Sequence, residues 1–200
     1  MSDSTTRVLY GGPNSPYARM ARVVGEELGV DFEYRIVDVY SAEFLDAHNP
    51  LRQIPTLIEN ERTAVYDSRT IFVHFALCAG RPEFVHLHDI EQTTRTALAL
   101  GLTDVCLGYR MESIRPDGER SDAVLGKLAG KLERGLRHMD GLTASIAAGP
   151  LRLEQVVVGC MLEYVDYRYG REWRAECPGL ADWLAAFGAR ETMQASQPYG

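Results

Sequence analysis

The chain has 200 residues, enough for one large domain or two small ones around a real hydrophobic core. Its composition is that of a soluble globular protein, and a formal net charge of -7 without any basic run argues against nucleic-acid or anionic-membrane binding. No apolar stretch approaches the roughly 20 residues that span a bilayer, and Met1-Ser2-Asp3-Ser4-Thr5-Thr6 lacks a signal-peptide core, so a cytoplasmic protein is expected.

The first 80 residues alternate short β-rich runs with helical ones. Arg7-Val8-Leu9-Tyr10 predicts a strand, and residues 32–39 predict a second, with apolar Phe32, Tyr34 and Ile36 alternating with Glu33 and Arg35. Between them Met20, Val23, Val24 and Leu28 share one helical face, and Gly29 follows as a stop. A β-α-β unit of this kind predicts parallel strands. A short helix is expected over Ala42 to Ala47, broken by Asn49-Pro50. Thr56 to Glu59 and Thr63 to Tyr66 read as a hairpin, after which Asp67 or Ser68 caps a helix running to Ala79 and stopped by Gly80.

Beyond Gly80-Arg81-Pro82 the β signal disappears. Glu91 to Ser113, Ser121 to Leu142, Leu151 to Tyr169 and Gly179 to Ala189 have helical character, and Leu125, Leu128, Leu132, Leu136 and Met139 keep the spacing of a buried stripe. The organisation predicted is an α/β domain over 1–80, a linker over 81–90 and an all-α domain over 91–200. Cys78, Cys106, Cys160 and Cys177 are far apart and no pair has zinc-ligand spacing, so buried free thiols and no metal are expected. His86-Leu87-His88 could present two imidazoles, but it falls in the linker and is not read as a metal site.

Three places in the first domain could carry chemistry. Ser15 stands at the first turn of the first helix, where free N–H groups and the positive end of the dipole favour an anion, although serine there is also the ordinary N-cap. In Gln53-Ile54-Pro55-Thr56 a proline opens a strand, a place where a cis peptide would turn the N–H and C=O of Ile54 outward toward an extended peptide. Asp67-Ser68 opens a helix, and a carboxylate beside a hydroxyl and helix N-terminal amides could grip the two ends of an α-amino acid, or could simply cap the helix.

Taken in order, these features resemble the cytosolic glutathione S-transferase family: strand, Ser-Pro-Tyr turn and helix, then Asn-Pro-x-x-x-Ile-Pro, a hairpin, Asp-Ser and a helical domain. The resemblance spans essentially the whole chain. Met111-Glu112-Ser113-Ile114-Arg115-Pro116 and the tail from Phe187 to Pro198 resemble a bacterial subgroup with a serine at the active-site turn. It implies a thioredoxin-like N-terminal domain plus an all-α C-terminal helical bundle, and a homodimer. It implies glutathione as co-substrate, paired to the backbone of Ile54 before cis-Pro55, with Asp67 and Ser68 on its γ-glutamyl end and Gln53 near its glycyl end. Ser15 would point at the sulfur, and Tyr10, at the strand end where some classes place a catalytic tyrosine, is the second candidate activator.

The second substrate, a small hydrophobic electrophile, would lie between the domains against the first long helix, where Tyr109, Arg110, Met111 and Cys106 are candidates to line it; each also fits plain bundle packing. Ser15 stands where redox relatives carry a cysteine, which argues against thiol–disulfide exchange at this site. The family's second-domain capping box is degraded here to Arg152-Leu153-Glu154-Gln155, so helix initiation there is expected to lean on Gly149-Pro150 and packing. The main function expected is glutathione transfer. A non-catalytic glutathione-binding or protein-interaction module on the same scaffold is the alternative.

Overall fold

The computed structural model describes residues 6–86 and 88–198. Met1 to Thr5 of the polar N-terminal stretch and Leu87 of His86-Leu87-His88 lie outside the described residues. The chain divides into two compact units, residues 6–85 joined by 195–198, and residues 86–194.

The first unit is thioredoxin-like. Strands β1 (Arg7–Gly11), β2 (Glu33–Ile36), β3 (Thr56–Glu59) and β4 (Thr63–Val65) form one sheet in the order β2-β1-β3-β4. The β1–β2 pair is parallel, as the β-α-β reading requires, and the other two pairs are antiparallel. Helices α1 (Pro16–Glu27) and α2 (Ser68–Cys78) supply Met20, Val23, Val24, Ile71, Phe72 and Phe75 to the core, where Leu9 and Leu57 from neighbouring strands are also buried. Gly29 and Gly80 both sit at φ +66°, the left-handed geometry that ends a helix at little cost only in glycine.

Phe32 and Phe75 stack with centroids 5.3 Å apart, directly over Gly25 of α1. A Cβ at Gly25 would stand 2.4 Å from the Phe32 ring, so the bare backbone is what admits the ring pair.

Two expectations are corrected here. The strand expected over 32–39 is confined to Glu33–Ile36, and Ile36 is 61% exposed. It is the last residue of an edge strand and pairs with Gly11, which has no side chain to cover it. The segment after Ala42 forms a five-residue 3-10 helix, Glu43–Ala47, which buries Leu45.

The second unit is all helical: α3 (Ile90–Ser113), α4 (Asp122–Asp140), α5 (Thr143–Ala147), α6 (Leu153–Arg168), α7 (Trp173–Glu176), α8 (Pro178–Phe187) and α9 (Glu191–Ala195), the last ending where the first unit resumes. Helix α6 packs on α3, and its Val156, Val157, Val158, Cys160, Met161 and Leu162 have no exposed surface. Among the described residues, no helix is long and apolar enough to cross a membrane.

The start of α6 has more than the Gly149-Pro150 turn and packing on which its initiation was expected to lean. Gln155 Oε1 accepts the Arg152 N–H at 3.2 Å, so half of the capping box survives without the carboxylate. Arg152 sends its guanidinium back to the carbonyls of Ser145 and Ala148, satisfying the end of α5. Its Nε also lies 3.2 Å from Oε2 of Glu154, whose side chain is only 1% exposed and is gripped on its other oxygen by Arg95. Removing that carboxylate takes a partner from the buried Arg152 and the half-buried Arg95 at once. Glu154→Ala should therefore cost about 3–5 kcal/mol in a urea unfolding experiment, whereas a loss under about 1 kcal/mol would show that the cluster is solvated.

Candidate active site

Three segments converge at one end of the first unit's sheet. The strand β1 ends at Gly11 and runs into the Gly12-Pro13-Asn14 turn. Thr56, which opens β3, pairs with Tyr10 of β1. Val65, which closes β4, pairs with Leu57, so Asp67-Ser68 emerge beside Pro55 and Thr56. The register therefore gathers the three candidate places that lie far apart in sequence.

At the first place, the Ser15 N–H closes the turn by donating to the Gly12 carbonyl at 3.2 Å. Ser15 has extended backbone geometry and is the N-cap of α1, with its Oγ accepting the Ala18 N–H at 3.2 Å and Pro16 following at the first helical position. Both readings of Ser15 are compatible. A hydroxyl that accepts a cap bond still owns its proton, and the half-buried Ser15 can donate it elsewhere.

At the second place, Ile54–Pro55 is a cis peptide bond. Among the described residues, no hydrogen bond reaches the backbone of Ile54. The loop is held by Asn49, which is 2% exposed. Its amide donates to the Gln53 carbonyl at 3.1 Å and to Thr56 Oγ1 at 3.0 Å, and its Oδ1 accepts the Leu51 N–H at 3.1 Å. Thr56 Oγ1 in turn donates to the Gln53 carbonyl at 2.7 Å, so Gln53 is pinned through its backbone while its side chain stays exposed. The Ile54 side chain reaches the first loop, where its Cδ1 lies 2.9 Å from the place a Cβ on Gly12 would occupy.

At the third place, Asp67 is the N-cap of α2, its Oδ1 accepting the Arg69 N–H at 3.0 Å. Its other oxygen stays 3.7 Å from the Arg69 guanidinium, and the side chain is 61% exposed, so a carboxylate edge faces solvent. Ser68 is buried in the first turn of the helix.

The remaining candidates lie elsewhere. Tyr10 packs its ring against Phe44, centroids 5.1 Å apart, and its hydroxyl accepts from Arg35 at 3.4 Å. Tyr109 makes an edge-on contact with Tyr169 at 4.9 Å, Arg110 is half-buried, and Met111 is 51% exposed on α3. Cys106 has no exposed surface, and burial pushes its thiol up to about 12, so it stays protonated and is no nucleophile. Of the four cysteines expected to be buried, Cys78 is exposed, because it falls on the outer side of the last turn of α2. It stands with Glu59 and His74 in a group whose ligand atoms all lie within 4.8 Å of one another.

Sequence reasoning missed the work of Asn49 and Thr56. Asn49 reads there only as a helix breaker; the available signal was an Asn set just ahead of Pro50 and the Ile-Pro turn, where its short amide can bond the backbone that follows. Asn49→Ala would leave the Gln53 carbonyl and the buried Thr56 hydroxyl without their amide partner and should lower stability by about 2–3 kcal/mol, read as a shift in the denaturation midpoint. An unchanged midpoint would mean the loop is held by its prolines alone.

The N-terminal unit matches the family model described as glutathione S-transferase, N-terminal domain, over residues 9–82. A glutathione S-transferase structure from Methylobacillus flagellatus with glutathione bound is 33% identical, covers 96% of this chain and 100% of its own, and superposes with a TM-score of 0.89. A glutathione transferase family member from Pseudomonas fluorescens, also with bound glutathione, is 27% identical over 97% of this chain and 100% of its own, with a TM-score of 0.89. The GST-like protein YibF of Escherichia coli is 25% identical over 95% of this chain and 98% of its own. With this identity sustained along the full length of both chains, on a thioredoxin-like unit followed by a helical one, the protein belongs to the glutathione S-transferase family.

Proposed function

We propose that the protein is a glutathione transferase of the bacterial subgroup with a serine at the active-site turn, activating the glutathione thiol for attack on small hydrophobic electrophiles. The observation that carries this reading is the bond from Ala18 N–H to Ser15 Oγ, which leaves the hydroxyl proton available to a sulfur anion at the N-terminus of α1. In the proposed complex the backbone of Ile54 pairs with the peptide beside Pro55, and Gln53 stands near the glycyl end. Asp67 takes the γ-glutamyl ammonium, and Ser68 with the first amides of α2 takes its carboxylate. The exposed carboxylate edge of Asp67 and the open backbone of Ile54 favour this assignment. Tyr109 and Met111 contact the electrophile, for which the exposed thioether of Met111 is suited. Tyr10 is the lesser candidate for the activator, since Arg35 and Phe44 already engage it.

The energetics are sufficient. A free thiol with a pKa near 8.5 is only a few per cent thiolate at neutral pH. Lowering that pKa by about two units takes about 2.7 kcal/mol of preference for the anion. One hydrogen bond to a charged sulfur of about 1.5–3 kcal/mol and a helix-dipole contribution of about 0.3–1 kcal/mol can supply it. The thiolate then attacks the electrophilic carbon and displaces the leaving group, or adds to an activated double bond. Ser15 remains a donor throughout and forms no covalent bond.

The test combines calorimetric titration of glutathione with thiolate absorbance of the bound ligand as a function of pH. Wild type should bind glutathione and depress its thiol pKa by about two units. Ser15→Ala should lose that depression and also about 1 kcal/mol of stability with the cap. Ser15→Asp should keep the cap and the stability yet lose the depression, because a carboxylate accepts from the helix but repels a thiolate. Bound glutathione that titrates as in water in the wild type would leave a binding module without this chemistry. Failure to bind would remove the assignment of Ile54, Asp67 and Ser68.

We further propose a cytoplasmic homodimer. Tyr40 at 86%, Leu51 at 67% and Phe44 at 47% exposed place large apolar side chains on the surface of the first unit, as a partner-facing patch would. Light scattering should give twice the chain mass of 22.3 kDa; a species of the single-chain mass would overturn this.

A further inference from the structure

We propose that Glu59, His74 and Cys78 form a binding site for a borderline-soft divalent cation of the zinc class, at the end of the first unit away from Ser15 and Pro55. His74 and Cys78 are four residues apart on α2 and project from the same face, while Glu59 closes β3 beneath them. Cys78 Sγ lies 3.5 Å from His74 Nε2, and His74 Nε2 lies 3.1 Å from Glu59 Oε1. Tetrahedral zinc with bonds of about 2.3 Å to sulfur and 2.0–2.1 Å to nitrogen or oxygen sets its ligand atoms about 3.3–3.6 Å apart. Two of the three edges of the ligand triangle are thus already close to that spacing, and the third falls within the 4.8 Å that encloses the group.

The donor set is also chemically apt. Thiolate and imidazole select borderline-soft metals over magnesium or calcium, and three protein ligands with one open position suit zinc. Glu59 and His74 are half-buried and Cys78 is exposed, so an ion can enter and a water can complete the shell. Cys78 ends an eleven-residue helix and His74 stands one turn before it, near the negative end of the dipole, which favours a cation. Six residues of helix, about 9 Å, separate His74 from Ser68, and ten, about 15 Å, separate Cys78 from it, so this site uses none of the residues of the glutathione reading.

Arg7 is the competitor. Its Nε donates to Glu59 Oε1, and its Nη2 lies 3.6 Å from Cys78 Sγ. An arriving ion takes over Glu59 Oε1 and meets a neighbouring positive charge, so affinity is lower than at a site without the arginine. With carboxylate and thiolate as ligands, the dication itself is neutralised.

The test uses reduced full-length protein titrated with Co(II) alone, followed by the sulfur-to-cobalt charge-transfer band, and with Zn(II) alone against a chromophoric chelator. One ion per chain should bind, with the band present. Cys78→Ser should abolish the band, and Cys78→Ser and His74→Gln should each weaken zinc at least about 100-fold while leaving glutathione binding unchanged. Zinc should also slow alkylation of Cys78 by iodoacetamide. Absence of the band, or zinc affinity unchanged in both variants, would overturn the site. So would a Cys78 that binds neither ion and instead forms a mixed disulfide with glutathione disulfide.

Discussion

The hydrogen bond from the Ala18 N–H to Ser15 Oγ fixes what the first loop can do. It anchors the serine oxygen to the helix, so the remaining freedom of the hydroxyl is the direction of its proton. A helix needs this acceptor because its first amides have no partners within the helix. A thiolate needs the donor that is left over. In the proposed complex, structural and chemical demands therefore fall on opposite halves of one hydroxyl. Cysteine at the same position would be a poor acceptor and a reactive nucleophile, which is a different chemistry.

That hydroxyl is useful only if the second loop stands at the right distance, and the sheet sets that distance. The pairing of Tyr10 with Thr56 fixes where β3 begins relative to the end of β1. Gly12 then allows the Ile54 side chain to pack against the first turn, while Asn49 and Thr56 hold the backbone on the other side of Gln53. The loop is clamped by apolar contact on one side and by a closed set of hydrogen bonds on the other. Its own backbone at Ile54 is left open between them, an arrangement suited to receiving an extended peptide.

The parts of this site that are legible in the sequence are the ones whose cause is local. Ser15 before Pro16, Ile54 before Pro55 and Asp67 before a helix carry their geometry in one or two neighbouring residues. Asn49 was not legible in its role, because its partners lie four and seven residues further on and are positioned by the loop it stabilises. Tyr10 could be placed at the strand end, but Arg35 and Phe44 come to it from two other segments. Cys78 misled for another reason. Ile71 to Cys78 is so apolar that it reads as buried all round, and only packing against one side of the sheet leaves Leu77 and Cys78 facing outward. In the second unit the burial of Leu132, Leu136 and Met139 on α4 was legible from its spacing, although Leu125 and Leu128 of the expected stripe are only half-buried, whereas Arg152 and Glu154 look like surface residues until Arg95 closes over Glu154.

Helix α2 ties the two ends of the first unit together. Its N-terminus carries Ser68 and the Asp67 cap, beside the open loop, where a partial positive charge favours a carboxylate. Its C-terminus carries His74 and Cys78 above Glu59, where the partial charge is negative. One helix thus presents an anion-favouring end and a cation-favouring end, with Ile71, Phe72 and Phe75 buried between them. An ion that joins α2 to β3 at the far end would hold the helix against the strand that follows Pro55. Any effect on glutathione would then travel chiefly as rigidity along α2, since His74 stands six residues, about 9 Å, from Ser68 and charges exposed to solvent are largely screened beyond about 8 Å at physiological salt.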